Sequence, residues 1–473
     1  MNEAGIQAIF EAQQAHRLRM AQTGAAERQA ILRRLRDAIQ RHRVRLAEAL
    51  ALDLGKSRAE AEITELHPVV GELNHAVAHL PRWMRPRSVA TPATLLGSRS
   101  WVVPEARGVT LILSPWNYPV NLALAPLVAS LAAGNTVILK PSEKAPATAR
   151  ALRELLEEVF EPYLVAVVEG GADVAEALTR LPFDHIFFTG SGDIGRRVME
   201  AAARNLTPVT LELGGKSPAI LGHGADLGLA AERIGWGKFL NAGQTCVAPD
   251  YVLVPQEQHD GFVERLREVV ARRYGSGPDT LKDFGRLVDA ASVHRLERLT
   301  GESVRAGARV VFGGQFDAAQ RLISPTLVTN VTPEMPLMRE ELFGPVLPIL
   351  PYRDLADALA LVRRLDTPLA LYAFTRDPGE AEQVRRETRS GGLVVNGTVV
   401  HLTNPNLPFG GIGPSGMGSY HGEYGFRAFS HERAVLHEAA LSPTRLSYPP
   451  YGRPAPRFTT WLLRQMERTL PSG

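Results

Sequence analysis

The sequence predicts an α/β fold, a parallel sheet with helices on both faces, and three observations carry that expectation. From Gly108 onward, short apolar runs alternate with helical stretches. One of these runs ends in Gly190-Ser191-Gly192-Asp193-Ile194-Gly195, a glycine-rich turn that follows a strand and opens a helix. The chain has 473 residues, 45% of them apolar and 22% charged, which is about three ordinary domains' worth of globular sequence.

The first helix spans 27–50, where Ile31, Leu35 and Ile39 recur at three-to-four spacing. Arg34, Arg36, Arg41, Arg43 and Arg45 lie on it, but Glu27, Asp37 and Glu48 are interleaved and no aromatic residue accompanies them. That pattern is a solvated helix face rather than an RNA-binding stripe. His75 and His79 stand four apart on another helix, but no HExxH pattern surrounds them and no third ligand is evident, so a metal site is not expected. The apolar stretch 119–139 is interrupted by Asn121, Pro126, Ser130 and Gly134-Asn135, and it divides into a buried helix and a buried strand better than it makes one membrane span.

Strands follow at 109–113, 136–139, 165–168, 185–189, 209–213 and 251–254, with helices at 147–160 and 196–204. A second α/β stretch runs from about 262 to 395, and a Gly/Pro-rich loop covers 404–418.

The 53 basic and 50 acidic residues leave a net charge of only +3, too small an excess to imply nucleic-acid binding. A single cysteine, Cys246, excludes an intrachain disulfide and any multi-cysteine metal site, and suits a reducing cytoplasmic compartment. The first thirty residues carry Glu3, Glu11, Arg17 and Arg19 without the apolar run of a secretory signal, so none is expected there.

Two residues stand out chemically, and each has two readings. Glu212 lies twenty-two residues beyond Gly190, the spacing at which a dinucleotide fingerprint places the acid that holds a ribose hydroxyl. It also opens the run Glu212-Leu213-Gly214-Gly215-Lys216, ahead of Asn241-Ala242-Gly243-Gln244-Thr245-Cys246. Cys246, in a glycine-containing loop among polar residues, is either an accessible nucleophile or a small buried hydrophobe.

Five motifs bear on that choice. Leu211 to Lys216, Gly243 to Cys246, Pro115-Trp116-Asn117-Tyr118-Pro119, Leu139-Lys140-Pro141-Ser142-Glu143 and Glu340-Glu341-Leu342-Phe343-Gly344-Pro345-Val346 together resemble the aldehyde dehydrogenase superfamily, in that family's order along the chain. The resemblance covers about residues 25 to 435. Leu407-Pro408-Phe409-Gly410-Gly411, Gly416 to Gly422 and Tyr448-Pro449-Pro450 resemble the class 3 branch, which includes fatty and aromatic aldehyde dehydrogenases.

The resemblance implies that Cys246 is the nucleophile, Glu212 the general base and Asn117 an oxyanion donor. It implies Lys140 and Glu143 at the adenosine ribose, Glu341 and Phe343 at the nicotinamide ribose and ring, Trp116 among the cofactor contacts, and Gly190, Ser191 and Gly195 in the phosphate turn. That leaves Gly192 coincidental and frees Glu212 from cofactor duty. Glu143 favours NAD over NADP by repelling a 2'-phosphate, although class 3 relatives often use both. Tyr118, Leu122, Phe409 and His421 match positions near the substrate tunnel, with core packing as the other reading of each, and suggest an apolar or aromatic aldehyde.

The implied organisation is a Rossmann-type NAD(P)-binding domain of 1–95 and 108–211, a catalytic domain of 212–405, a β oligomerisation extension of 96–107 and 406–440 that builds a homodimer, and a tail of 441–473. The tail carries Phe458, Trp461, Leu462, Met466 and Leu470 at helical spacing, opposite Arg457, Arg464 and Arg468. Packing on its own domain is favoured for this helix over capping a neighbour or resting on a membrane surface. A CoA-acylating or semialdehyde dehydrogenase is the alternative within the family, and a cofactor-free thiol hydrolase the alternative outside it. Lys140, Glu143, Glu341 and Phe343 have no role in a hydrolase.

Overall fold

Five of the apolar runs assemble side by side as parallel strands, in the spatial order Val209–Glu212, His185–Thr189, Val109–Leu113, Thr136–Lys140 and Val165–Val167. Each is buried almost throughout, which is why they read as continuous rather than alternating apolar runs. The computed structural model describes residues 2–275, 281, 284–450, 457, 460, 461 and 464. The chain moves outward from Val109–Leu113 in one direction and then returns to its other side with His185–Thr189. The loops after these two strands therefore diverge at a topological switch point, where open α/β sheets leave a crevice. Those loops begin Ser114-Pro115-Trp116-Asn117 and Gly190-Ser191.

A second sheet has seven strands, ordered Arg309–Phe312, Thr326–Thr329, Val346–Tyr352, Tyr251–Pro255, Pro218–Leu221, Ala370–Phe374 and Gly392–Val395. Only its first pair is antiparallel. A two-stranded hairpin, Phe316–Asp317 with Leu322–Ile323, stands beside it. The third sheet is an antiparallel ribbon of Arg87–Val89, Arg99–Ala106 and Ser430–His437.

Several boundaries differ from the sequence reading. The helix expected from 27 runs Ala25–Leu54 and stops at Gly55, whose φ of +63° is open to glycine at little cost. The helix expected from Arg196 begins at Gly192, because the glycine turn itself supplies the first helical turn. Within the proposed extension, Arg87–Val89 joins the ribbon from the segment assigned to the first domain, and Gly422–Ala428 is helical rather than extended. Gly416–Met417 leaves the ribbon altogether and pairs with Leu211 and Glu212 at the edge of the six-stranded sheet. The amphipathic helix expected in the tail lies largely outside the described residues, with Phe458, Leu462, Met466, Arg468 and Leu470 among those not described.

The 119–139 stretch is indeed a helix followed by a strand. Asn121–Ala133 is buried on nearly all sides between the N-terminal helices and the six-stranded sheet. Among the described residues no helix is long and apolar enough to cross a membrane. His75 and His79 stack on one another at 4.2 Å and on Trp83 at 5.5 and 6.0 Å, as members of an aromatic cluster.

Candidate active site

Cys246 sits after a backbone that L residues rarely adopt. Asn241, Ala242 and Gly243 all have positive φ, at 52°, 51° and 75°, and strain of this kind persists only where the surroundings over-determine it. Here they do. A Cβ on Gly243 would lie 2.3 Å from the Gly344 carbonyl oxygen. Asn241 N–H donates to Glu60 at 2.6 Å, and its Nδ2 donates to the carbonyls of Asn117 and Gln244. Gln244 in turn donates through Nε2 to the carbonyls of Asn241 and Arg286 and accepts from Val288 N–H.

Asn117, in the loop after Val109–Leu113, donates from Nδ2 to the Gln244 carbonyl at 3.1 Å, which sets its amide against the cysteine loop. The next residue, Tyr118, shares a 2.5 Å hydroxyl bond with Thr245. Beneath both lies a pair that sequence reasoning passed over. The fully buried Lys56 contacts Glu65 Oε1 at 2.5 Å, donates to the Asn117 carbonyl at 2.9 Å, and stands 4.1 Å over the Tyr118 ring. Glu65 Oε2 accepts from Val120 and Asn121 N–H. The scarcity of lysine, six in the whole chain, was the available signal for Lys56.

Cys246 is partly exposed and opens onto a cavity of about 450 Å³. Tyr118, Leu122, Phe409 and His421 all line that cavity, so the structure brings together the four residues expected near a substrate. Most of the remaining wall is apolar, including Ile63, Ala125, Trp236, Val399 and Leu402. Glu72, which the sequence reading did not single out, also lines it and lies 3.6 Å from His421.

Glu212 ends its strand buried, and among the described residues neither carboxylate oxygen has a hydrogen-bond partner. Burial pushes its carboxyl well above the ordinary value, as expected for an acid that loses water and gains nothing in return. Its backbone carbonyl accepts from Gly190 N–H at 3.0 Å, so the glycine turn and the Glu212 strand end are adjacent. Glu341 is raised to about 8, by burial first and then by Asp250, against one favourable bond from Gly215 N–H. A Cβ on Gly214 would fall 2.3 Å from the Glu341 carboxylate, so the glycine makes room for that side chain. The Cys246 thiol is pushed up by burial and by the charges of Glu341 and Glu212. It is therefore a thiol that needs a base.

Asp250, also missed, ties the runs that begin at Glu212 and Glu340 together. It contacts Lys216 at 2.7 Å and Lys238 at 3.4 Å, and accepts from Leu342 N–H. Lys216 further donates to the Glu340 carbonyl. Trp116 and Phe343 meet edge to face at 5.4 Å. At the end of Thr136–Lys140, Lys140 holds the half-exposed Glu143 at 2.7 Å. At the start of Gly192–Ala203, a Cβ on Gly190 or Gly195 would strike Phe188 or Leu213 at 2.5 and 2.8 Å, whereas one on Gly192 would meet only the end of Arg196 at 3.9 Å. Ser191 caps that helix without a side-chain bond.

The chain matches known proteins over almost its full length. The sequence profile of the Aldehyde dehydrogenase family covers residues 2–435. The 4,4'-diaponeurosporen-aldehyde dehydrogenase of Staphylococcus aureus is 42% identical over 89% of this chain and 91% of its own. Aldehyde dehydrogenase family 3 member B2 of Mus musculus is 40% identical over 99% of this chain and 96% of its own. A solved structure described as the substrate-bound state of Staphylococcus aureus AldH superposes with a TM-score of 0.92 at 39% identity, covering 97% of this chain and 99% of that one. By profile, sequence and fold alike, the chain belongs to the aldehyde dehydrogenase family, in its class 3 branch.

Proposed function

We propose that this protein oxidises an apolar aldehyde, fatty or aromatic, to the carboxylic acid with NAD(P), through a thiohemiacetal and a thioester on Cys246. The observation that carries the reading is a single thiol opening onto a largely apolar cavity with an unpartnered buried carboxylate in its electrostatic range.

Cys246 loses its proton as it attacks the aldehyde carbon, with Glu212, made more basic by burial, as the group that takes it. The alkoxide that forms is stabilised by the Asn117 Nδ2 amide and the Cys246 N–H. The bound nicotinamide supplies one thing, acceptance of the hydride. Glu212 passes the thiol proton on to solvent, then takes one from the water that cleaves the thioester, and the acid leaves. Glu212 is thus read as the base and not as a ribose anchor.

The chain's residues fit a dinucleotide. The glycine turn opens at the sheet's switch point beside Glu212, and Gly214 leaves a space that a Cβ would fill, occupied by Glu341. Lys140 and Glu143 would hold the adenosine ribose, with Glu143 favouring NAD. Gly190, Ser191 and Gly195 would face the pyrophosphate, and Trp116, Glu341 and Phe343 the nicotinamide end. A homodimer forms in this reading through Ser430–His437, an eight-residue edge strand with mostly exposed side chains, and sedimentation reads it directly.

The test is NADH formation, followed by absorbance, with NAD and a panel of straight-chain and aromatic aldehydes. Turnover that disappears in Cys246→Ala supports the reading. A folded protein that reduces NAD with no aldehyde on the panel, or a Cys246→Ala variant that retains turnover, overturns it.

A further inference from the structure

The cavity wall is mostly apolar, with Thr64, His67, Asn121, Thr245 and Thr403 among its polar members, and it carries one built pair of ionisable side chains. His421 has φ +78°, a conformation unusual for a non-glycine residue, and it is held there from several sides. Its ring stacks on Tyr420 at 4.2 Å and meets Phe409 edge-on at 5.5 Å. The following residue, Gly422, donates its N–H to Glu72 Oε1 at 2.7 Å. The other oxygen, Glu72 Oε2, lies 3.6 Å from His421 Nδ1. Glu72 and His421 both line the cavity that Cys246 opens onto, and they come from distant parts of the chain, the helix His67–Trp83 and the start of Gly422–Ala428.

This arrangement is costly unless it is used. A carboxylate and an imidazole facing a mostly apolar cavity lose solvation, and an apolar aldehyde would return none of it. With Nδ1 turned toward Glu72, Nε2 is the ring nitrogen left to meet a hydroxyl, which can donate to it or accept from it. Among the described residues Nε2 has no hydrogen-bond partner.

We infer that His421, oriented by Glu72, anchors a hydroxyl on the substrate, so that the preferred substrates are aldehydes whose apolar body carries a hydrogen-bond donor, phenolic aldehydes among them. The inference rests on the reading of Cys246 as the nucleophile in this cavity. A site built to hydrogen-bond a hydroxyl discriminates strongly against the analogue that lacks it, because the polar group is then left buried and unpaired.

The experiment compares matched probes with NAD: benzaldehyde against 3- and 4-hydroxybenzaldehyde, and cinnamaldehyde against 4-hydroxycinnamaldehyde. In the unsubstituted protein at least one hydroxylated member exceeds its parent in kcat/KM by tenfold or more, chiefly through KM. In His421→Phe that ratio collapses toward one. Glu72→Gln keeps an acceptor for Gly422 N–H and lowers the ratio by a smaller factor, so it tests the anchor should the aromatic variant fold poorly. Because each ratio is taken within one protein, general loss of structure does not move it. Parents that turn over as well as every hydroxylated partner, or a preference unchanged in both variants, overturn the anchor and leave aldehyde oxidation standing. No turnover of any of the five overturns the catalytic reading and the anchor with it.

Discussion

Lys56 and Glu65 form a 2.5 Å ion pair with both side chains wholly removed from solvent, and the same ammonium holds the backbone carbonyl of Asn117. The pair therefore fixes the loop that carries the proposed oxyanion donor. Lys56→Met leaves the buried Glu65 without its cation, a loss of about 3–5 kcal/mol in stability. Replacing both, Lys56→Met with Glu65→Gln, should lose less than the lysine change alone. Chemical denaturation of the two variants reads the difference, and equal losses would show that the charges are not coupled.

In the proposed reading, cofactor choice turns on Glu143. Burial raises its carboxyl, but the Lys140 contact, a backbone hydrogen bond and the nearby Lys144 charge together hold it below the ordinary range. It should thus stay charged near neutrality and repel a 2'-phosphate. Glu143→Ser is expected to move the ratio of kcat/KM values toward NADP by about tenfold or more, where about 1.4 kcal/mol is a factor of ten. Steady-state kinetics with both cofactors checks it, and an unchanged ratio removes the ribose from this residue.

The Cys246 thiol is raised by burial and by two carboxylates. Its alkylation by iodoacetamide, followed by intact mass without cofactor, should be slow at pH 7 and still be accelerating above pH 9. A plateau near neutrality would mean a thiolate is already present.

Glu341 carries a stability consequence with a definite sign. Its folded value of about 8 lies above the ordinary 4.5, so the fold prefers the protonated acid. The associated stability is complete below about 4.5 and is lost as pH rises through about 8. Glu341→Gln keeps an acceptor for Gly215 N–H and cannot ionise. Between pH 7 and 9 its Tm should fall less than that of the parent, and parallel falls would contradict the assignment.

The parallel strands were legible because they are buried on both faces, and the strand at 109–113 and that at 185–189 match to the residue. Cys246, Tyr118, Leu122, Phe409 and His421 were legible as one site only through motif resemblance, since nothing in local periodicity brings 118 to 421. Lys56, Glu65, Glu72 and Asp250 were not read at all. Each acts through a partner distant in sequence, as Glu72 does with Gly422, and a lone charged residue on a helix has the same appearance whether it faces solvent or a buried carbonyl. The pairing of Gly416–Met417 with Glu212 was hidden for the same reason.

The central claim is that Glu212, buried and without a hydrogen-bond partner, is the base that completes the reaction. Glu212→Gln keeps the shape of the side chain and cannot take a proton from the thiol or from water, so acylation is slowed but survives while deacylation stalls. Rapid mixing of this variant with NAD and a turned-over aldehyde should give a burst of up to about one NADH per site, then very slow turnover, with an acyl adduct on Cys246 by intact mass. Were Glu212 a ribose anchor, the variant would show a raised KM for NAD, no burst and no adduct, and that result would contradict the account.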